Sequence, residues 1–211
     1  MKKMFKSKRG IVGVEAAIVL IAFIIIAAAL SYVVINMGFY TTQKTKETMQ
    51  AGLEESLSAL QLDGVVTGKT NTNGEIQYIV FPVKLSAGKA SLDLSKNSTV
   101  VSVYLPGKTL LNIYQGANST TTTDLDSILS DNSTFAGIYN QQGAMFALYN
   151  DDGDKLLESN EKAFLIINLN TDTLSDYQTM KIEVRTAKGA ALTVVRTAPG
   201  GMPASSYVDL G

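Results

Sequence analysis

The 211-residue chain contains no cysteine, no histidine and no tryptophan. Without cysteine there is no thiolate nucleophile and no disulfide, and without histidine there is no imidazole base and no His/Cys zinc site. Catalysis would have to rest on carboxylates, lysine, serine, threonine or tyrosine. A G-x-S-x-G nucleophile motif is missing as well, and the carboxylate pairs Glu54-Glu55 and Asp151-Asp152 are adjacent acids of the kind usually found solvated. A surface hydrolase is therefore disfavoured and no enzymatic activity is expected. The lack of cysteine fits an extracellular protein that does without disulfides, although it does not separate a reducing from an oxidising compartment.

What is present is unevenly distributed. Hydrophobic residues make up 45% of the chain and crowd towards one end. The first ten residues, MKKMFKSKRG, carry Lys2, Lys3, Lys6, Lys8 and Arg9 and no acid. Residues 16–35 follow as an apolar run broken only by Ser31 and Tyr32. At roughly 1.5 Å per residue twenty such positions reach about 30 Å, the thickness of a bilayer's hydrocarbon core. By hydropathy alone this is a signal anchor. A cleaved secretory signal has an apolar region of about 7–15 residues with small residues after it, whereas here the small residue, Gly10, precedes the run. Cutting after Gly10 removes five positive charges, takes the formal net charge from −1 to −6 and leaves the whole helix on the mature chain.

The helix is apolar on every face, so lipid or copies of itself must surround it. Twelve large side chains, among them Ile18, Ile21, Phe23 and Ile25, are expected to form the assembly surface. Burying twelve such groups is worth on the order of 20–35 kcal/mol gross, against roughly 5–15 kcal/mol for folding a typical domain. Exchanging lipid for neighbouring helices costs little, and Ala16, Ala17, Ala22, Ala27, Ala28 and Ala29 allow close approach. Glu15 is the one charge near the start of the run, and an unpaired carboxylate there is costly. Cleavage would free an amine on Ile11, with a reference pKa of about 7.7–8.0, as a partner for Glu15 on its own chain or a neighbour.

Met49, Leu53, Leu57 and Leu60 continue as one stripe at helical spacing, which predicts a single helix over residues 11–61 behind a leader of residues 1–10. From Asp63-Gly64 onward the pattern becomes short runs rich in Val, Ile, Tyr and Thr between turn residues, and predicts an antiparallel sandwich over residues 62–211. The fold class is thus α+β. Pro82 is expected on an edge strand or at a bulge.

Asn-Ser-Thr occurs at Asn97, Asn118 and Asn132, and these sequons are expected in polar surface loops as N-glycosylation sites. The tract at residues 119–123 reads as a mobile outer loop. Asn150, Asp152, Asp154 and Glu158 offer oxygen ligands for Ca²⁺, although Lys155 stands where an EF-hand loop requires glycine. A solvated turn at Asp152-Gly153 is the competing reading.

Lys8-Arg9-Gly10, then Ile11, Gly13 and Glu15, and the apolar run through to Lys44 resemble the class III leader and helix of an archaellin, the archaeal flagellin. VRTAPGG at residues 195–201 and the final YVDLG resemble the usual archaellin ending, and residues 153–169 resemble an internal archaellin block in which Ser159-Asn160 replaces the usual Pro-Gly. The resemblance implies an immunoglobulin-like head and recognition of Lys8, Arg9, Gly10, Ile11 and Gly13 by a prepilin-type (preflagellin) signal peptidase. It also implies membrane lipid around the helix of the precursor, an assembly platform with its ATPase, and a homopolymer or mixture with sister subunits in an extracellular swimming filament. No nucleic acid is expected among the partners. An adhesive type IV pilin is the alternative within the same secretion class.

Overall fold

A computed structural model describes residues 9–56, 59–87, 91–131 and 133–211, and the chain divides into two units, Met1–Gly52 and Leu53–Gly211. The first unit is dominated by helix α1 (Arg9–Ser56), 48 residues or roughly 72 Å long. No proline interrupts it. Its many β-branched residues have modest helix propensity, but an apolar surrounding leaves the backbone no hydrogen-bond partner except itself. The hydroxyls of Ser31, Thr41, Thr42, Thr45 and Thr48 each donate to the carbonyl four residues earlier at 2.8 Å. Each of these five hydroxyls is thereby satisfied within its own helix.

The helix stops short of the expected residue 61. Leu60–Leu62 form strand β1 instead, and Leu60 is only 2% exposed in the core of the second unit. The Ser86 N–H donates to the Ala59 carbonyl at 3.1 Å and Leu60 pairs with Leu85. Strand pairing over a buried leucine outweighs the helical spacing of the stripe, whose Met49 and Leu53 are exposed.

The second unit is built on two sheets. The larger runs in the order β13 (Tyr207–Asp209), β2 (Thr67–Thr70), β3 (Ile76–Leu85), β10 (Lys162–Asn168), β8 (Gly143–Tyr149) and β7 (Tyr114–Thr120), with β1 also on β3. The smaller runs β12 (Leu192–Thr197), β11 (Thr179–Thr186), β5 (Thr99–Leu105) and β6 (Lys108–Leu110), and β4 (Ser91–Asp93) pairs with β9 (Leu156–Glu158). Alternate residues of the facing strands, including Ile79, Phe81, Val101, Val103, Phe146, Leu165 and Ile182, form one buried cluster. This is the expected sandwich core.

Two features depart from a plain antiparallel sandwich. β7 and β8 run parallel, because the connection across residues 121–142 is long enough to return the chain to the same end of the sheet. That connection contains α2 (Leu125–Ser130), capped by the Asp124 side chain. Ile128, Phe135 and Ile138 from the connection bury Val80, Met145, Ala147 and Ile166 on the other face of the large sheet. Burial on both faces explains why β8 and β10 read as continuous apolar runs.

Pro82 is neither at an edge nor at a bulge. It lies in β3 opposite Phe164, between the stretch of β3 paired with β2 and that paired with β1. Its carbonyl accepts from the Asp63 N–H at 3.0 Å, so its nitrogen faces the same gap, where no ladder donor is needed.

The two archaellin-like C-terminal motifs have structural roles. In YVDLG, β13 pairs with β2, and Tyr207 Oη and Lys69 Nζ both donate to Asp126 Oδ1 at 2.6 Å. The Lys69 contact, followed by that from Tyr207, holds the Asp126 carboxyl below its ordinary range. In VRTAPGG, a Cβ on Gly200 would fall 2.0 Å from Tyr177 Oη, and Gly201 has φ +72. Tyr177 itself sits at φ 61, its N–H donating to the Ala198 carbonyl at 3.0 Å. The glycine pair lets the backbone pass beneath the ring and turn.

Candidate functional site

The largest chemical asymmetry of the molecule lies on α1. All twelve large apolar side chains from Ile18 to Ile35 are exposed, between 51% and 69% of their surface. Ile18, Ile21 and Ile25 lie along one face at helical spacing and Phe23 on another, and the remaining large apolar residues complete the circumference. Glu15 shares a shallow groove of the helix surface with Ala16, Val19, Leu20 and Phe23, and has no ionic or hydrogen-bond partner among the described residues. Gly13 has nothing within 4 Å of the position a Cβ would take. Of the expected cleavage residues, Lys8 lies outside the described residues. Arg9, Gly10 and Ile11 belong to the first turn of α1, with side chains outside the description.

The sequons fall in different settings. Asn97 is exposed in the turn before β5, as a surface acceptor requires. Asn118 is not in a loop. It stands within β7 opposite Ala147, and its Nδ2 donates to the Thr134 carbonyl. The expected mobile tract begins in this strand, because residues poor in apolar side chains still pair when a neighbouring strand offers a ladder. Asn132 lies outside the described residues.

The acidic segment gathers a set other than Asn150, Asp152, Asp154 and Glu158. Carboxylate oxygens of Asp151, Asp152 and Glu161 lie within 4.8 Å of one another. Positive φ at Asn150, Gly153 and Lys155 coils the segment, and Asp154 Oδ1 accepts from the Leu156 N–H at 2.8 Å. Asn150 donates to the Asn160 carbonyl, while Glu158 is exposed and gives its N–H to Glu161 Oε2 at 2.9 Å. Only Asp152 of the expected four is in the group. The sequence signal for Asp151 and Glu161 was no more than membership of the acidic run.

Glu161 is 6% exposed, Asp151 Oδ2 accepts from the Ser119 hydroxyl, and Asp151 Oδ1 is buried with no hydrogen-bond partner among the described residues. A buried carboxylate oxygen without a donor is costly. An oxygen-preferring cation fits this donor set.

Comparison with known proteins covers most of the chain. A family model described as archaeal-type flagellin matches residues 10–196. "Probable flagellin 1" of Aeropyrum pernix is 45% identical over 209 residues, covering 98% of this chain and 100% of that protein. The solved archaeal flagellum of Methanospirillum hungatei superposes with a TM-score of 0.54 at 24% identity, over 94% of this chain and 99% of that one. The crystal structure of archaeal flagellin FlaB1 from Methanocaldococcus jannaschii gives a TM-score of 0.58 at 17% identity, over 72% and 95%. At these identities the two structures bear on the fold, a long apolar helix followed by a β-rich head.

Proposed function

Because the chain belongs to the archaeal-type flagellin family, we propose that it is the structural subunit of a swimming filament, polymerising through α1 with copies of itself or with sister subunits outside the cell. It is a filament protein and not an enzyme. The observation that carries this reading is the full circumference of exposed apolar side chains on α1. A helix buried against one neighbour would need one stripe, whereas the interior of a rod surrounds it on all sides. The contact between copies is heterologous, since only a non-closing operation generates an open helical array. The match to full-length flagellins disfavours the adhesive pilin.

In the finer reading, a prepilin-type peptidase cuts after Gly10, membrane lipid holds α1 before assembly, and a membrane platform with its ATPase inserts each subunit. Subunits in sheared filaments are expected to begin at Ile11, and deletion is expected to abolish swimming while leaving surface attachment intact. An intact Met1 in filaments, or normal swimming in the deletion strain, overturns the reading. Glu15 is the registering charge. Glu15→Gln subunits are expected to be cleaved normally and to enter filaments several-fold more slowly in pulse-labelling, and unchanged incorporation removes that role.

N-linked sugar at Asn97, Asn118 and Asn132 also belongs to this reading, with the sequons supporting it. So does a hard cation, Ca²⁺ first, held by Asp151, Asp152 and Glu161, where it would neutralise the carboxylates and pin the segment before β10. At a hundred times its dissociation constant the ion would stabilise the head by about 2.7 kcal/mol, or roughly 5–10 °C in Tm. Asp151→Asn is expected to abolish that shift. Calorimetry without heat of binding, together with an unchanged Tm, discards the ion.

A further inference from the structure

The glycosylation reading above underlies the next step, because the folded head withholds both described sequons, each by a different atom. An Asn-x-Ser/Thr acceptor is recognised through its Asn amide and through the hydroxyl two residues later. At the first sequon the amide is available: Asn97 is exposed and its side chain has no hydrogen bond among the described residues. The hydroxyl is not. Thr99 is 1% exposed, opens β5 opposite Thr186 of β11, and donates to the Asp93 carbonyl at 3.4 Å. Ser98 between them is fixed as well, its hydroxyl donating to Asp93 Oδ2 at 2.6 Å and its N–H to the Ser95 carbonyl at 3.1 Å.

At the second sequon the amide itself is engaged. Asn118 Nδ2 donates to the Thr134 carbonyl, and the residue is held in the parallel ladder of β7 on β8. The Thr120 hydroxyl closes a local turn, donating to the Thr122 carbonyl at 3.2 Å and accepting from the Thr122 N–H at 3.3 Å. An enzyme reading either sequon must therefore take apart strand pairing or a buried contact.

We propose that sugar transfer to Asn97 and Asn118 takes place before β5 and β7 join their sheets, so that glycosylation and folding of the head compete for the same chain. In the transfer, Nδ2 forms a bond to the anomeric carbon of a lipid-phosphate-linked sugar. The bond from that carbon to the phosphate oxygen breaks, the lipid phosphate leaves with the electron pair, and the amide proton passes to a base of the transferase. After folding the two sites differ in consequence. A sugar on Asn97 projects from an exposed turn, whereas one on Asn118 must share the space beside the Thr134 carbonyl.

The test uses full-length chain made without glycosylation. Folded wild type in detergent micelles, and a Leu165→Asp chain whose core position is fully buried, are each incubated with archaeal membranes supplying an oligosaccharyltransferase and its lipid-linked sugar. Circular dichroism verifies that one head is folded and the other is not, and site-resolved mass analysis follows both asparagines. At least a ten-fold slower transfer to the folded head at both sites is expected. Equal rates at Asn97 in the two chains overturn the order of events while leaving glycosylation standing. Refusal of the unfolded chain as well overturns the glycosylation reading and this inference with it.

Discussion

Replacing Phe23 with aspartate is expected to stop filament formation while leaving the head folded. Phe23 lies on α1, within Met1–Gly52, and not in the unit Leu53–Gly211 that carries the sandwich. A carboxylate near the middle of an apolar helix costs about 2.5–3.5 kcal/mol for insertion into a bilayer. In an array the cost recurs, because every added copy brings the same charge to the same depth among like charges. A penalty of that size per subunit is roughly a hundred-fold or more in each addition equilibrium. Sheared-filament yield should fall below detection, while the β-signal and melting of the extracted subunit stay near wild type. Phe23→Leu should assemble. Filaments of normal length from the aspartate variant would mean that α1 is not the interior of the rod.

The second large effect concerns the head. Phe146→Ala is expected to cost about 3–5 kcal/mol, the range for deleting a buried aromatic. Phe146 is 0% exposed, belongs to the cluster between the sheets, and meets Tyr114 edge to face with centroids 5.7 Å apart. Tyr114 in turn donates its hydroxyl to the Leu94 carbonyl, and burial raises its pKa above the ordinary value. The cavity would therefore loosen an anchored neighbour. Against roughly 5–15 kcal/mol of total stability this is a large fraction, equivalent to about 10 °C or more in Tm. Thermal melting of the purified chain measures it, and a fall of less than about 3 °C would place Phe146 outside the cooperative core.

Features set by local pattern were legible in the sequence. Residues 16–35 announced α1 by composition alone, and β3, β5, β8, β10, β11 and β12 followed from β-branched runs between turns. Features set by distant partners were not. β7 reads YQGANST, with little apolar character, and is a strand because β8 satisfies its backbone. Leu60 fitted a helical stripe until pairing with Leu85 drew it into a sheet. The acidic group could not be found by loop spacing, since Glu161 lies beyond β9 and Asp151 takes a hydrogen bond from Ser119, 32 residues away. The all-round apolar character of α1 needed no such information, because it is set by composition along the helix itself.

The five hydroxyls that α1 turns back onto its own carbonyls bear on mechanics. Ser31, Thr41, Thr42, Thr45 and Thr48 leave no hydroxyl hydrogen free to bond sideways to an adjacent copy. Lateral contact at those five positions then rests on dispersion, which changes gradually as surfaces slip by fractions of an ångström. At those positions neighbouring copies can shift by many small displacements without rupturing directional bonds.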